Sequence, residues 1–503
     1  MVRRERLLVG IDVGTSSCKS SVLTPSGRVV AEASEGYPTR RTAAGEVSQD
    51  PTEWLRAVTM TLRDAIRQVD ASAIEAIGVT APAHYAVLLD RERRPLRRCL
   101  LSSDGRPAAT AARLREDIGD RFFRTTGVAL TAGWTLPQLR WLLDEDPGLA
   151  RRLHRVLISK DWIRSELTGV DVTDPSDAAG TAMFDLWAGT WSVDLVEAAG
   201  VSLDVLPPIH PATAVGGALS PGWGRRLGLR SGIPVAVGAT DTAAELVSVG
   251  AVEVGDAIIK IASTGTVVVV TNEPRPDPRL LTYPHAVPGR FYGLAATSTA
   301  ATSDVWLRSA LLGTGAGDPE LGRDEARRLA ARVPPGSDGL LFLPYLEGER
   351  SPRWDAELRG AFLGLSSSHT RAHLCRAVLE GVAMSLRDCR DAMADAGLEL
   401  NEPILAGGGL RSPLWQRIVV DVLDQPSRHM TTQGPSIGAA MIAGSAVGLE
   451  VAAGSSGGRR RGRRVLPDPD RARTYDGLYR IYGDAAQALT DISHELAGMA
   501  KPR

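Results

Sequence analysis

Cysteine is scarce in this 503-residue chain. The four present, Cys18, Cys99, Cys375 and Cys389, include no CxxC pair. That excludes a zinc ribbon and a disulfide framework. Long apolar runs are missing too. The N-terminal MVRRERLLVGIDVG holds only a short apolar stretch before Asp12, and no later window approaches 18 uninterrupted apolar residues. A signal peptide and a spanning helix are therefore not expected, and a cytoplasmic protein is the natural reading. Charge of one sign is not in excess: 58 Lys and Arg meet 59 Asp and Glu, for a net charge of −1. No overall field selects nucleic acid or an anionic membrane. Several short signatures are absent as well. There is no GxxxxGK[ST], no strict GxGxxG and no HExxH. His369 and His373 share the i, i+4 spacing, but in the sequence HTRAH.

What is present is an ordinary globular mixture, 43% hydrophobic and 23% charged, in a chain too long for one core of ~250–300 residues. Two large domains follow. The pattern of elements restarts midway. Leu7–Asp12 reads as a strand, followed by a Gly/Thr/Ser turn and a second strand. Asp256–Ala262 repeats this, with the turn Ser263-Thr264-Gly265-Thr266 and a strand at Val267–Thr271. Between them, Asp50-Pro51 starts a helix and residues 107–205 are mostly helical. Ala452–Arg464, rich in Gly, Ser and Arg, reads as a mobile loop.

Three Gly-rich turns each follow a strand: Asp12–Lys19, Ser263–Thr266 and Gly407–Ser412. Successive backbone N–H groups in such turns form anion-binding concavities, and Thr and Ser add hydroxyl donors. Carboxylates stand at two strand ends, Asp12 and Asp241. Thr242-x-x-Glu245 has the capping-box pattern, which would make Thr242 the N-cap and Asp241 the residue before it. Phosphoryl transfer needs a phosphate cradle, a hydrated Mg²⁺ on one or two carboxylates, and a base for the acceptor hydroxyl. These residues could supply all three.

Several longer motifs complete the pattern: IDVGTSSCKSSVL at 11–23, ISKDWIRSELTG at 158–169, DPSDAAGTAMFD at 174–185, FLPYLEGERSP at 342–352, GAFLGL at 360–365 with HLCRAVLE at 373–380, and GGGLRSPLW at 407–415. With these the chain resembles the FGGY family of carbohydrate kinases, in its xylulokinase-like branch, almost end to end. The resemblance implies an α/β fold of two ribonuclease-H-like (actin-like ATPase) domains, 1–248 and 249–503, with a cleft between them. It implies ATP and Mg²⁺, a small sugar acceptor, no nucleic acid or membrane partner, and a homodimer as a common family state. Residue by residue, Asp241 matches the catalytic base and a metal-side carboxylate, and Asp12 the magnesium-side aspartate. Gly14, Thr15, Ser16, Lys19, Thr264, Gly265, Thr266, Gly408 and Gly409 match the nucleotide-binding turns. His84, Tyr85, Asp104 and Thr242 fall at acceptor-binding positions.

The departures cluster on the acceptor side. The GQMHG motif has become Thr80-Ala81-Pro82-Ala83-His84-Tyr85, WND has become Ser102-Ser103-Asp104, GDN has become Thr240-Asp241-Thr242, and Gln138 replaces a lysine. A ketopentose such as D-xylulose is the leading expectation. Another ketose, a polyol, a cyclitol-like metabolite, or a non-catalytic sensor on the same fold are the alternatives.

Overall fold

The computed structural model describes residues 5–311, 319–431, 433–449 and 462–499. Most of the stretch 452–464 read as a mobile loop lies outside them. Its last residues do not behave as a loop: Arg463–Val465 is a strand, and Arg464 pairs with Glu402.

The strands of the main sheet in the first half are β1 (Leu7–Val13), β2 (Ser17–Leu23), β3 (Val29–Gly36), β4 (Ile74–Ala81), β5 (Val215–Ala218), β6 (Pro234–Ala236) and β7 (Ala239–Thr240). They form one sheet in the order β5-β6-β4-β1-β2-β3, with β7 also on β4. The second half repeats the plan with β8 (Ala257–Ile261), β9 (Gly265–Thr271), β10 (Leu281–Pro284), β11 (Phe291–Thr297), β12 (Ile404–Ala406), β13 (Ser427–His429) and β14 (Arg463–Val465), ordered β10-β11-β9-β8-β12-β13-β14. In each sheet a central strand, β1 or β8, pairs antiparallel with the next strand and parallel with a later one. The restart seen in the sequence is thus a repeated sheet topology.

The helices that place the site are α1 (Pro51–Ile66), α2 (Ser159–Thr168), α3 (Pro175–Gly180), α4 (Asp241–Ser248), α5 (Arg371–Asp395), α6 (Pro413–Leu423) and α7 (Pro435–Ala446). Helix α1 begins as its sequence dictates: Asp50 caps it through Thr52 N, and Pro51 occupies the first turn, where its missing N–H costs nothing. Helix α4 does not begin at Thr242. Its N-cap is Thr240, whose hydroxyl faces Ala243 N at 3.5 Å, so Asp241 is the first helical residue. The capping box fails because Glu245 turns instead to Lys260, a charge-assisted partner at 2.6 Å.

Helix α7 comes from the second half of the chain but packs on the first half's sheet. The contact is backbone to backbone. A Cβ on Gly10 would lie 1.8 Å from Ser436 O, one on Gly78 2.0 Å from Ala439 O, and one on Gly438 1.7 Å from Ala244 O. Only glycine allows this approach. Ser21 and Ser436 share a buried hydrogen bond of 2.8 Å at the same seam. Among the described residues no helix is long and apolar enough to cross a membrane.

Candidate active site

Asp12 and Asp241 meet because of strand register. In β4, Thr80 pairs with Asp12 of β1 on one side and with Ala239 of β7 on the other. The Thr80 hydroxyl donates to Ala239 O at 2.7 Å and locks that row. Both carboxylates therefore stand at the same end of three parallel strands, where open α/β sheets place ligands. Asp12 Oδ1 is buried without a hydrogen-bond partner. Burial, then the nearby Asp241 carboxylate, pushes Asp12 up to about 8. Asp241 Oδ1 accepts the N–H of Thr242 at 2.7 Å, and Thr242's hydroxyl lies 3.3 Å from it.

One residue not singled out from the sequence completes this corner. Lys260, on β8, bonds Glu245 of α4 across the two halves at 2.6 Å. Burial works against the Lys260 charge. Glu245, Asp241 and Asp12 outweigh it and raise its pKa. The sequence signal was faint: one lysine in an otherwise apolar strand.

The Gly-rich turns converge on this corner. Gly14, Thr15 and Ser16 form the β1–β2 turn, with Thr15 and Ser16 exposed at its tip. Gly14 N donates to Ser17 O at 3.0 Å, and Gln49 holds Thr15 O at 2.7 Å. The β8–β9 turn contains Thr264, with Gly265 and Thr266 opening β9, and Thr266 pairs with Lys260. Gly265 N donates to Thr297 Oγ1 at 3.2 Å. The third turn follows β12 and sits directly on the second: a Cβ on Gly407 would be 2.4 Å from Ile261 O, and one on Gly409 2.3 Å from Ile261 Cγ2. Gly408 between them is exposed, with open space around it. Lys19 departs from this group. Although it pairs with Asp12 in register, its ammonium forms an ion pair with Glu32 at 2.7 Å.

His84 sits on the β4 side with a left-handed backbone, φ 77°. Its Nδ1 lies 2.5 Å from Gly180 O. A carbonyl only accepts, so Nδ1 carries the proton. Burial lowers the pKa to about 4, which leaves the ring neutral and Nε2 a bare acceptor. Trp134 packs edge-on to His84 at 4.5 Å. An aromatic series continues through Tyr283 to Tyr292, whose hydroxyl reaches Thr240 Oγ1 at 3.5 Å. Tyr85 is buried, and its hydroxyl lies near the side chains of Ser102 and of Thr15 in the first turn. Asp104 is fully engaged: its carboxylate takes Val47 N at 2.9 Å and Arg106 at 2.6 Å. Arg350 approaches from the second half, bonding Thr297 O at 3.4 Å. It sits beside a buried Glu349, which accepts Ser298 N at 2.6 Å and Arg350 N at 2.8 Å. Both lie in the FLPYLEGERSP motif, where the sequence alone assigns them no role.

His373 caps its own helix through Thr370 N at 3.0 Å and faces Asp338 at 3.1 Å. Among the described residues no group of three or more His, Cys, Asp or Glu is assembled to hold a metal. Mg²⁺ does not require one, since it keeps several waters and takes one or two carboxylates beside phosphate oxygens. The orphaned Asp12 oxygen fits that donor set.

Comparison with known proteins decides the class. The FGGY family of carbohydrate kinases matches through its N-terminal domain at residues 7–248 and its C-terminal domain at 260–447. The chain belongs to this family. It is a phosphotransferase with a sugar acceptor and ATP as donor, on the two-domain actin-like ATPase fold. A xylulose kinase of Bacillus subtilis (strain 168) is 29% identical over 99% of this chain and 100% of its own. The crystal structure of xylulose kinase from Rhodospirillum rubrum superposes with a TM-score of 0.88 at 32% identity, covering 97% of this chain and 100% of that one. That of gluconate kinase from Lactobacillus acidophilus gives 0.86 at 26% identity, covering 96% and 98%.

Proposed function

We propose that this carbohydrate kinase phosphorylates a ketose, with a ketopentose such as D-xylulose as the leading acceptor, and that Asp241 is its base. The observation that carries the proposal is a neutral His84 near enough to feel the charge of Asp241. The carboxylate accepts a proton, and the imidazole Nε2 accepts a hydroxyl hydrogen bond. Sugar hydroxyls suit both.

In this reading the acceptor hydroxyl donates to Asp241, and its proton moves to that carboxylate as the oxygen attacks phosphorus. Thr242 restrains Asp241 Oδ1 from its own helix. The turns at Gly14–Ser16, Thr264–Thr266 and Gly408–Gly409 hold the nucleotide through backbone N–H and hydroxyl groups. Asp12, with Asp241 beside it, would hold Mg²⁺ through water, and the ion would neutralise charge on the transferred phosphate. Tyr85 and Asp104 shape the acceptor wall, Asp104 by fixing Arg106 and Val47. Lys19, engaged by Glu32, acts through its field. A boundary at 248/249, a homodimer and a cytoplasmic location are carried over from the family with this proposal.

One observation favours a second acceptor class. The Arg350 cation lies within electrostatic reach of His84, and a gluconate kinase is among the structures this chain is similar to. An aldonate, whose carboxylate would pair with Arg350, is that second reading. ADP release with Mg-ATP across ketopentoses, ketohexoses, aldonates, polyols and cyclitols separates the two. A ketose hit supports the first and an aldonate hit the second. Asp241→Asn should lose turnover while keeping nucleotide affinity, and retained turnover would remove Asp241 as the base.

A further inference from the structure

Helix α3, Pro175–Gly180, touches both walls of the acceptor site. At its start Asp174 caps it: Oδ2 accepts the backbone N–H of Ser176 at 2.9 Å and its hydroxyl at 2.6 Å. The Ser176 oxygen in turn accepts the N–H of Thr240 at 3.0 Å, one residue before Asp241. At the other end, Gly180 O takes the His84 Nδ1–H. A Cβ on Gly180 would lie 2.6 Å from Ala83 Cβ, so the His84 loop rests directly on the helix.

The start of this helix is anchored by a buried charge cluster. Lys160 of α2 is 0% exposed. Its ammonium lies 2.8 Å from Asp161, 3.0 Å from Asp174 and 3.2 Å from Asp177. It also donates to Val237 O at 3.1 Å, as does Arg164, which bonds Asp161 at 2.8 Å. Val237 lies four residues before Asp241 on the same segment. Burying five ionisable groups is costly unless they are mutually satisfied. Burial raises Asp177 well above the usual carboxylate range.

We infer that the Lys160–Asp174–Ser176 unit and helix α3 form a strut that sets the spacing between Asp241 and His84, and so which acceptor hydroxyl meets the phosphate. Lys160 and Ser176 are positioning residues. The inference rests on the roles proposed above for Asp241 and His84. It accounts for a charge cluster buried behind the site rather than in it, bonded directly to the segment that leads to Asp241 and, through helix α3, to His84. A reacting group displaced by about 1 Å loses on the order of 10²-fold in rate.

The test perturbs the strut at each end. Ser176→Ala removes the acceptor for Thr240 N–H without changing charge. It should lower kcat about 10²-fold, with the acceptor KM and the affinity for a non-hydrolysable ATP analogue little changed. Gly180→Ala pushes on Ala83 and His84, and should raise the acceptor KM more than it lowers kcat. Melting curves establish that each variant is folded. A double-mutant cycle adds the decisive readout. In the residual turnover that the Asp241→Asn background retains, measured by product accumulation over long incubation, Ser176→Ala should cause no further loss, because it acts through the base. Folded variants with wild-type kcat and KM, or a Ser176→Ala loss of equal size in both backgrounds, would overturn the strut. Wild-type turnover by Asp241→Asn alone would instead overturn the base assignment, so the two failures are distinguishable.

Discussion

Glu245 and Lys260 face each other at 2.6 Å, one on the helix that Asp241 begins and the other on the central strand of the second sheet. This ion pair joins the two halves beside the paired carboxylates. Lys260→Met leaves a buried Glu245 without its cation and removes a positive charge that offsets Asp12. Stability should fall by about 2 kcal/mol, and turnover with it. Lys260's raised pKa places the pair's contribution fully below the unfolded lysine pKa, to be lost only as pH rises through the higher folded value. A neutral-pH melt of wild type and variant reads the loss directly.

His84 makes a prediction with a defined pH sign. Its pKa of about 4 keeps the ring neutral throughout the range from 5 to 8. It should contribute no limb to the pH profile of kcat/KM there, and its hydrogen-bond acceptor should be lost only as pH falls toward 4. Because the folded pKa lies below the unfolded value, the neutral ring favours folding above pH 6.5, and this is lost on acidification. His84→Phe should raise the acceptor KM about 10–100-fold and leave ATP-analogue affinity unchanged in a calorimetric titration.

Glu349 gives the opposite slope. Burial pushes its carboxyl up to about 7, against the pull of the two N–H groups it accepts. The folded state therefore holds a proton that the unfolded state releases near pH 4.5, and stability from this residue falls as pH rises from there to 7. Both N–H bonds go to one oxygen, which a glutamine can supply. Glu349→Gln should flatten the pH dependence of chemical denaturation in that window, by up to about 3 kcal/mol, and should be the more stable form at pH 8.

Gly438→Ala tests the seam between α7 and α4. Its methyl would overlap Ala244 O. Overpacking of this kind costs about 1–3 kcal/mol, and the displaced helix carries Asp241 at its start. A lower Tm together with a lower kcat is expected; a variant with unchanged kcat would mean that α4 moves as a unit without disturbing its first residue.

Much of this was legible in the sequence because it is local. Strand, turn and helix follow one another within a few residues at Leu7–Leu23 and Ala257–Thr271, and Pro413–Leu423 begins with its cap and proline in sequence. Asp12, Asp241 and the glycine turns were readable for the same reason. The partners of Glu245 were not, because a capping box and an ion pair compete for one carboxylate and only the fold brings Lys260 within reach. The Lys160 cluster joins residues 160–164, residues 174–177 and Val237, which only the fold brings together. Arg463 and Arg464 looked like loop by composition, yet the edge of the second sheet was open to them and Glu402 offered a charge.

The glycine-tight seat of α7 on β1 and β4 has a consequence for how the chain is made. The first sheet cannot close its surface at Gly10 and Gly78 until residues 435–446 have been synthesised. At about 5–20 residues per second, that is roughly 10–40 s after residue 248 has been added. Throughout that interval the nascent first half presents a bare groove with nothing to fill it. The two halves are interleaved rather than consecutive, and a ribosome-bound intermediate of the first alone is a natural client for chaperones.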